Sequence, residues 1–384
     1  MYKKYNVSLP NISHQEIKGV TKVLKSGWIT SGPKTAELED LIKDKIKTRN
    51  VIALNSATSG IFISLIALGA RRGDEVITPS NTYISTINSL YNLGLKIVLC
   101  DVNLHTGNVD IENFKKKISK KTKFFIPVHN GGNPLDIERL IRISKKNKIQ
   151  IIEDGATAFG AKVNKKFVGS FNYSTTVFSL HANKIITSGE GGFVCTNNNK
   201  VSKKIRLLIN SGLSKDTWNR KKTTNYRVLN ALEPGFKFNF NDILASIAIE
   251  QIKKIDQIQN YRLKIKNFYI KKLDELIKKK IIFIPIIKLK NSSAHYNFPI
   301  IISKGKNTRN RLANFLQKKN IFTTIHYTPA HQHQFYKKKL FSKDLINTNK
   351  LFNSTLCLPF HNKLNFKDIK YITNQILNYF NDKK

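Results

Sequence analysis

Val51-Ile52-Ala53-Leu54 runs straight into Asn55-Ser56-Ala57-Thr58-Ser59-Gly60, and an apolar helical stretch over 60–69 follows. Four consecutive apolar residues suit a strand buried on both faces, as in parallel sheets covered by helices. The small polar residues then turn the chain and open a helix whose unpaired N–H groups and dipole form a ready anion site. The pattern recurs. Strand candidates are 75–78 (EVIT), 96–100 (KIVLC), 124–128 (FFIPV), 150–153 (QIIE), 175–179 (TTVFS) and 192–196 (GFVCT). Helix-like segments near 83–93, 110–118, 134–147 and 200–210 separate them. This alternation predicts an α/β fold with a mostly parallel central sheet, its ligands bound at the carboxyl ends of the strands.

The stretches 51–70 and 76–95 carry no charge, and the first has 13 apolar side chains in 20. The polar cluster from Asn55 to Gly60 cuts it in half, so strand, loop and buried helix is the reading, and no membrane insertion is expected. The first ten residues, MYKKYNVSLP, contain no apolar signal core. Cys100, Cys195 and Cys357 lie far apart, which excludes a disulfide framework or a cysteine zinc site and suits a cytoplasmic protein.

Eighteen of the 19 glycines precede residue 236, so the loops that approach a ligand closely belong to the first part of the chain. Beyond it, 241–280 reads as one long or kinked helix, followed by strands near 281–286 and 296–302 and helices near 307–318 and 366–380. The 384 residues thus divide into a large domain, 1–250, and a smaller C-terminal α+β domain, 251–384. Lys and Arg number 66 against 25 Asp and Glu, a net charge of +41. The lysines are scattered in short runs, so a cationic solvated surface outweighs a specific nucleic-acid role, though the charge favours anionic substrates.

Three strand ends carry chemistry. Thr58 and Ser59 open the helix after 51–54; Glu153-Asp154 closes 150–153; Ser179 and Lys184 follow 175–179, ahead of Ser188-Gly189-Glu190-Gly191-Gly192. Each has a plainer reading alone: a helix cap, a structural acid, a surface lysine. Together, an anion cup, an acid and a lysine at the ends of parallel strands match what pyridoxal 5'-phosphate requires, namely a phosphate seat, an imine-forming amine and a partner for the pyridine nitrogen. Tyr83 is either a ring stacked on the cofactor or ordinary core.

The sequence resembles the DegT/StrS-type sugar-nucleotide aminotransferases, pyridoxal-phosphate enzymes of fold type I, over nearly its whole length. The resemblance is carried by Ser26-Gly27-Trp28-Ile29-Thr30-Ser31-Gly32-Pro33, Gly73-Asp74-Glu75-Val76-Ile77-Thr78-Pro79, Pro127-Val128-His129, Glu153-Asp154, Phe178-Ser179 with Lys184, Gly189-Glu190-Gly191-Gly192, the run from Pro234 to Asp242, His326-Tyr327 and Leu358-Pro359. It implies that Lys184 forms the Schiff base and shuttles the proton, that Asp154 pairs with the pyridine nitrogen, and that Tyr83 stacks on the ring. Thr58, Ser59 and Ser179 would bind the phosphate, completed by Lys237 or Asn239 from the second subunit of a homodimer. Trp28, His181 and His326 would line the sugar-nucleotide cleft.

Relatives that act as 3-dehydratases have histidine in place of the Schiff-base lysine, so Lys184 favours amino transfer. Thr157 stands where many relatives have Gln, Glu or His, which leaves its contact to the cofactor's O3′ altered or water-mediated. Gly155 replaces a common Ala. Lys237 and Asn239, with 215–220 (KDTWNR) upstream, resemble the branch making UDP-4-amino-4-deoxy-L-arabinose. The expected activity is transfer of an amino group from glutamate, leaving 2-oxoglutarate, to a nucleotide-linked 4-keto sugar for surface polysaccharide or lipopolysaccharide. A 3-keto sugar acceptor is the alternative within the fold, and an inactive polyanion-binding protein is the alternative outside it.

Overall fold

The computed structural model describes residues 3–213, 230–285, 291–341 and 343–381; the expectation placed on 215–220 lies outside the described residues. The strands are β1 (Asn50–Leu54), β2 (Glu75–Pro79), β3 (Lys96–Cys100), β4 (Thr122–Phe125), β5 (Gln150–Asp154), β6 (Lys162–Val163), β7 (Lys166–Phe167), β8 (Ser174–Ser179), β9 (Gly192–Thr196), β10 (Ile282–Phe283), β11 (Phe298–Ile302) and β12 (Thr355–Leu358). Seven of them form the central sheet in the order β1-β9-β8-β5-β4-β2-β3. All its pairs are parallel except those of β9, which runs antiparallel to both β1 and β8. The reason is the connection: parallel neighbours need a helical crossover, whereas the loop 180–191 simply returns the chain from β8. That return holds Lys184 at the carboxyl end of β8.

Helices α1 (His14–Ser26), α2 (Pro33–Ile46), α3 (Ala57–Ala67), α4 (Ile84–Asn92), α5 (Ile111–Lys117), α6 (Ile137–Lys146) and α7 (Asn199–Ile209) belong to this part. The uncharged stretches 51–70 and 76–95 resolve as β1–α3 and β2–α4, and no helix among the described residues is long and apolar enough to cross a membrane. One face of the sheet packs through Phe178, Phe193 and Cys195 on Leu38, Ile42 and Ile249. The other packs through Ile52, Ile152 and Val194 beneath Ile61 and Leu65 of α3 and Ile205 of α7.

The 241–280 stretch folds as Asp242–Lys253, Ile255–Lys272 and Asp274–Lys278. The joints at Lys254 (φ −98°, ψ 2°) and Leu273 (φ −100°, ψ 8°) leave α geometry, so the helix is kinked twice. Ile255 and Ile258 of the middle helix pack in the core of the large sheet, while Ile265 and Tyr269 enter a second core with β11, β12 and helices Gly305–Lys318 and Phe366–Asn381. The chain's beginning joins this second core: Tyr5 bridges Ile321 and stacks on Tyr371 at 5.3 Å. Helices α1, α2 and Ile346–Ser354 and strand β12 were not expected from the sequence. Lysines interrupt the apolar stripes of α1 and α2, and Thr355-Leu356-Cys357-Leu358 is too short a run to stand out. Cys100, Cys195 and Cys357 are free and buried, and no metal-binding group occurs among the described residues.

Candidate active site

At the end of β1, Ser56 caps α3: its Oγ accepts the Ser59 amide at 3.0 Å and lies 2.8 Å from Ser59 Oγ. Ser59 is therefore engaged in the cap, and Ser56, Ala57 and Thr58 are the residues of this turn that face the cleft. Gly192, at the start of β9, allows the close seat of the helix, since a Cβ there would come within 2.6 Å of the Ala57 amide nitrogen.

Two adjacent acids end β5, and strand geometry sends them to opposite faces. Glu153 is wholly buried; its carboxylate accepts the hydroxyls of Ser174 and Thr176 (2.9 Å) and His129 Nε2 at 2.8 Å. Because His129 Nδ1 accepts the Leu135 amide (3.1 Å), the proton of this imidazole is on Nε2. Glu153 is thus the fully paired structural acid. Asp154 opens on the cleft, Oδ2 accepting the Thr86 hydroxyl at 2.8 Å and Oδ1 the Ala156 amide at 3.1 Å. The His129 amide donates to the Asp154 carbonyl (3.0 Å), so one residue braces both acids.

Thr157 borders the cleft, but its hydroxyl donates to the His129 carbonyl (2.9 Å) and accepts the Gly132 amide (3.1 Å). Its proton is spent on bracing the 129–132 turn, so the geometry offers no O–H from Thr157 for a ligand. An O3′ contact at this position, expected to be altered or water-mediated, would have to be made without a proton from Thr157.

Lys184 projects into the same cleft, its Nζ 5.0 Å from the centre of the Tyr296 ring. Burial lowers the amine to a pKa of about 8, against the pull of the Asp154 carboxylate, which raises it. Ser179 and Tyr83 line the cleft as well; Ser179 Oγ accepts the His181 amide at 3.2 Å, and Tyr83 lies at the foot of α4 with its ring 5.7 Å from that of Tyr327. His181 and His326 stand at the wall. His326 Nδ1 faces Asn297 Nδ2 at 3.2 Å, and its pKa is pushed down to about 4, first by burial and then by Lys184, so it is neutral. The whole cavity measures about 540 Å³.

Three expected residues lie elsewhere. Trp28 Nε1 donates to the Ser31 carbonyl at 3.1 Å, Asn239 Nδ2 to the Ser31 hydroxyl at 2.7 Å, and Lys237 is exposed on a bridge to Asn210. None of the three borders this chain's own cleft. Conversely, Thr86, Asn130, Asn183, Tyr296 and Tyr327 contribute to the site without having been assigned a role in it from the sequence. Thr86 sits one helical turn beyond Tyr83, a usable signal; Tyr296 arrives from the segment just ahead of β11, packed into the core of the large sheet, with no local pattern to announce it.

The donor set fits a phosphorylated pyridine aldehyde. A lysine of lowered pKa suits imine formation, an anionic acceptor across the cavity suits a ring N–H, and the α3 N-terminus with Ser179 suits a phosphate. One pH dependence follows. Only the neutral amine attacks a carbonyl, so reconstitution of cofactor-free protein with pyridoxal phosphate is expected to accelerate about tenfold per pH unit below about 8 and to level off above it. Stopped-flow absorbance across this range measures it; a profile still rising steeply to pH ~10 would indicate an unperturbed lysine.

Residues 10–377 match the DegT/DnrJ/EryC1/StrS aminotransferase family. An uncharacterized protein of Methanocaldococcus jannaschii is 35% identical over 371 residues, covering 96% of this chain and 95% of that protein. The spore coat polysaccharide biosynthesis protein SpsC of Bacillus subtilis is 30% identical over 367 residues, 94% of this chain and 93% of its own. Among solved structures, a putative sugar aminotransferase of Streptococcus pneumoniae in its PMP form superimposes with a TM-score of 0.91 at 28% identity, covering 98% of this chain and 99% of that one. Its PLP form gives 0.90 at 27% identity, with 99% of each chain covered.

Proposed function

We propose that this chain, which belongs to the DegT/DnrJ/EryC1/StrS aminotransferase family and is a pyridoxal-phosphate-dependent transaminase of fold type I, moves an amino group from glutamate to a nucleotide-linked 4-keto sugar. The observation that carries the reading is the convergence of Lys184 and Asp154 on one cavity, with the α3 N-terminus on its rim. Pyridoxal phosphate, when bound, supplies an aldehyde to hold the amino group and a ring to take up the electrons released at Cα.

The chain's own residues supply the rest. Lys184 anchors the cofactor, then takes the proton from Cα of the donor and delivers it to C4′, reversing the transfer for the keto sugar. Asp154, held by Thr86 and the Ala156 amide, keeps the pyridine nitrogen protonated. Thr58 and Ser179 hold the phosphate, Tyr83 covers the ring, and His181 and the neutral His326 present polar edges to the sugar. Lys237 or Asn239, both placed outside their own cleft, completes the phosphate seat of a second subunit in a cytoplasmic homodimer. The kinship with SpsC supports a destination in surface polysaccharide.

The test is spectroscopic. Glutamate added to the holo-protein is expected to exchange its visible absorption for a near-ultraviolet band with release of 2-oxoglutarate, and a nucleotide-linked 4-keto sugar is expected to restore the visible band. A holo-protein that ignores glutamate but answers another amino acid would overturn the donor, and restoration by a 3-keto sugar alone would overturn the acceptor.

A further inference from the structure

Residues 335–346 read FYKKKLFSKDLI and are held from one side. Tyr336, Leu340 and Leu345 are buried in a small cluster with Ile87, Leu99 and Ala330. Each of these anchors has a large apolar neighbour that faces outward: Phe335 is 55% exposed, Phe341 67% and Ile346 72%. Tyr91, itself 41% exposed, extends the patch by an edge contact with Phe335 at 5.2 Å. So dense a group of exposed apolar side chains on one short segment marks an interaction surface.

The charge around them has one sign. Lys337, Lys338, Lys339 and Lys343 are all exposed, and the segment's acid, Asp344, is taken by Lys117. Among the described residues none of the four lysines has an acidic partner. The cations stand directly over the rings: Lys339 Nζ is 5.0 Å from the Phe335 centroid and Lys117 Nζ 5.9 Å from that of Phe341. Aromatic and aliphatic side chains flanked by unpaired lysines are the composition that seats a protein at the headgroup boundary of an anionic bilayer. A polynucleotide could stack its bases on the outward rings but has no use for an outward aliphatic Ile346.

We propose that this segment docks the protein peripherally on an anionic lipid surface, with Phe335, Phe341 and Ile346 entering the interface and Lys337, Lys338, Lys339 and Lys343 meeting lipid phosphates. No residue of the segment borders the active-site cavity, so docking and transamination are separable.

Flotation of the holo-protein with vesicles tests it. Binding is expected to vesicles of phosphatidylcholine with phosphatidylglycerol and not to phosphatidylcholine alone. The triple variant Phe335→Ser/Phe341→Ser/Ile346→Ser is expected to lower partitioning about tenfold or more. The variant Lys337→Ser/Lys338→Ser/Lys339→Ser is expected to lower it about a hundredfold, near fivefold per lysine. Both should keep full transaminase activity, which reports that they fold. Serine variants that float like wild type overturn the proposal. So does equal retention of wild type and the apolar variant on RNA with no lipid binding, which would make the segment a simple polyanion patch. Dissociation of an oligomer by the apolar variant without any lipid binding overturns it too, by making the surface a contact between copies of this chain.

Discussion

Lys184→Ala is expected to reduce transamination by at least about a thousandfold while the protein still binds its cofactor. Proton transfer by a positioned side chain contributes roughly 10²–10⁴-fold, and the same amine is the covalent anchor, so both contributions vanish together. The α3 N-terminus, Ser179 and Asp154 still line the cavity, and in their proposed roles they would hold the phosphate and the ring nitrogen without the lysine. Nor is arginine a substitute, since its guanidinium stays protonated at every accessible pH, whereas burial brings Lys184 down to about 8, within reach of the neutral form. Single-turnover absorbance with saturating glutamate is the measurement. A near wild-type rate in Lys184→Ala would place the proton carrier elsewhere, with the neutral His326 the next group to examine.

Asp154→Asn comes second, with an expected loss of roughly 10²–10³-fold in kcat. The side chain keeps its shape, and its one remaining oxygen can still accept either the Thr86 hydroxyl or the Ala156 amide, so the fold is expected to survive. What disappears is the negative charge opposite the ring nitrogen. Removing one member of a buried charged pair costs about 3–5 kcal/mol, and a cost that falls on the charged form of the ring appears in the rate at about tenfold per 1.4 kcal/mol. The loss should therefore fall on kcat far more than on cofactor affinity, which the phosphate seat sustains. Equal losses in Asp154→Asn and in Glu153→Gln would contradict the division of labour between the two acids, because Glu153 touches only Ser174, Thr176 and His129.

That division shows how far the sequence reaches. Adjacent acids at a strand end must face opposite sides, which follows from the two-residue period alone. Which of them meets the ligand depends on what lies across the sheet, and the hydroxyls of Ser174 and Thr176 on the neighbouring β8 claim Glu153. The cup at β1–α3 and the return loop carrying Lys184 were legible because each is local: an apolar run, a cluster of small residues and a helix within about twenty positions. Ser59 and Thr157 were legible as residues but not as contacts. The Ser56 hydroxyl takes the amide of the first, and the His129 carbonyl takes the proton of the second, both through hydrogen bonds that short-range pattern does not encode.

The sequence by itself determined the α/β alternation and the small and polar residues, Asp154, Ser179 and Lys184 among them, that end or follow its strands. These are properties of hydrophobic period and of residue type, fixed along the chain. Only the tertiary structure decided that Tyr296, His326 and Tyr327, more than a hundred residues away, close the cavity around Lys184 and strip water from its amine. A lysine's pKa depends on who surrounds it, and its neighbours here are brought by folding rather than by sequence order.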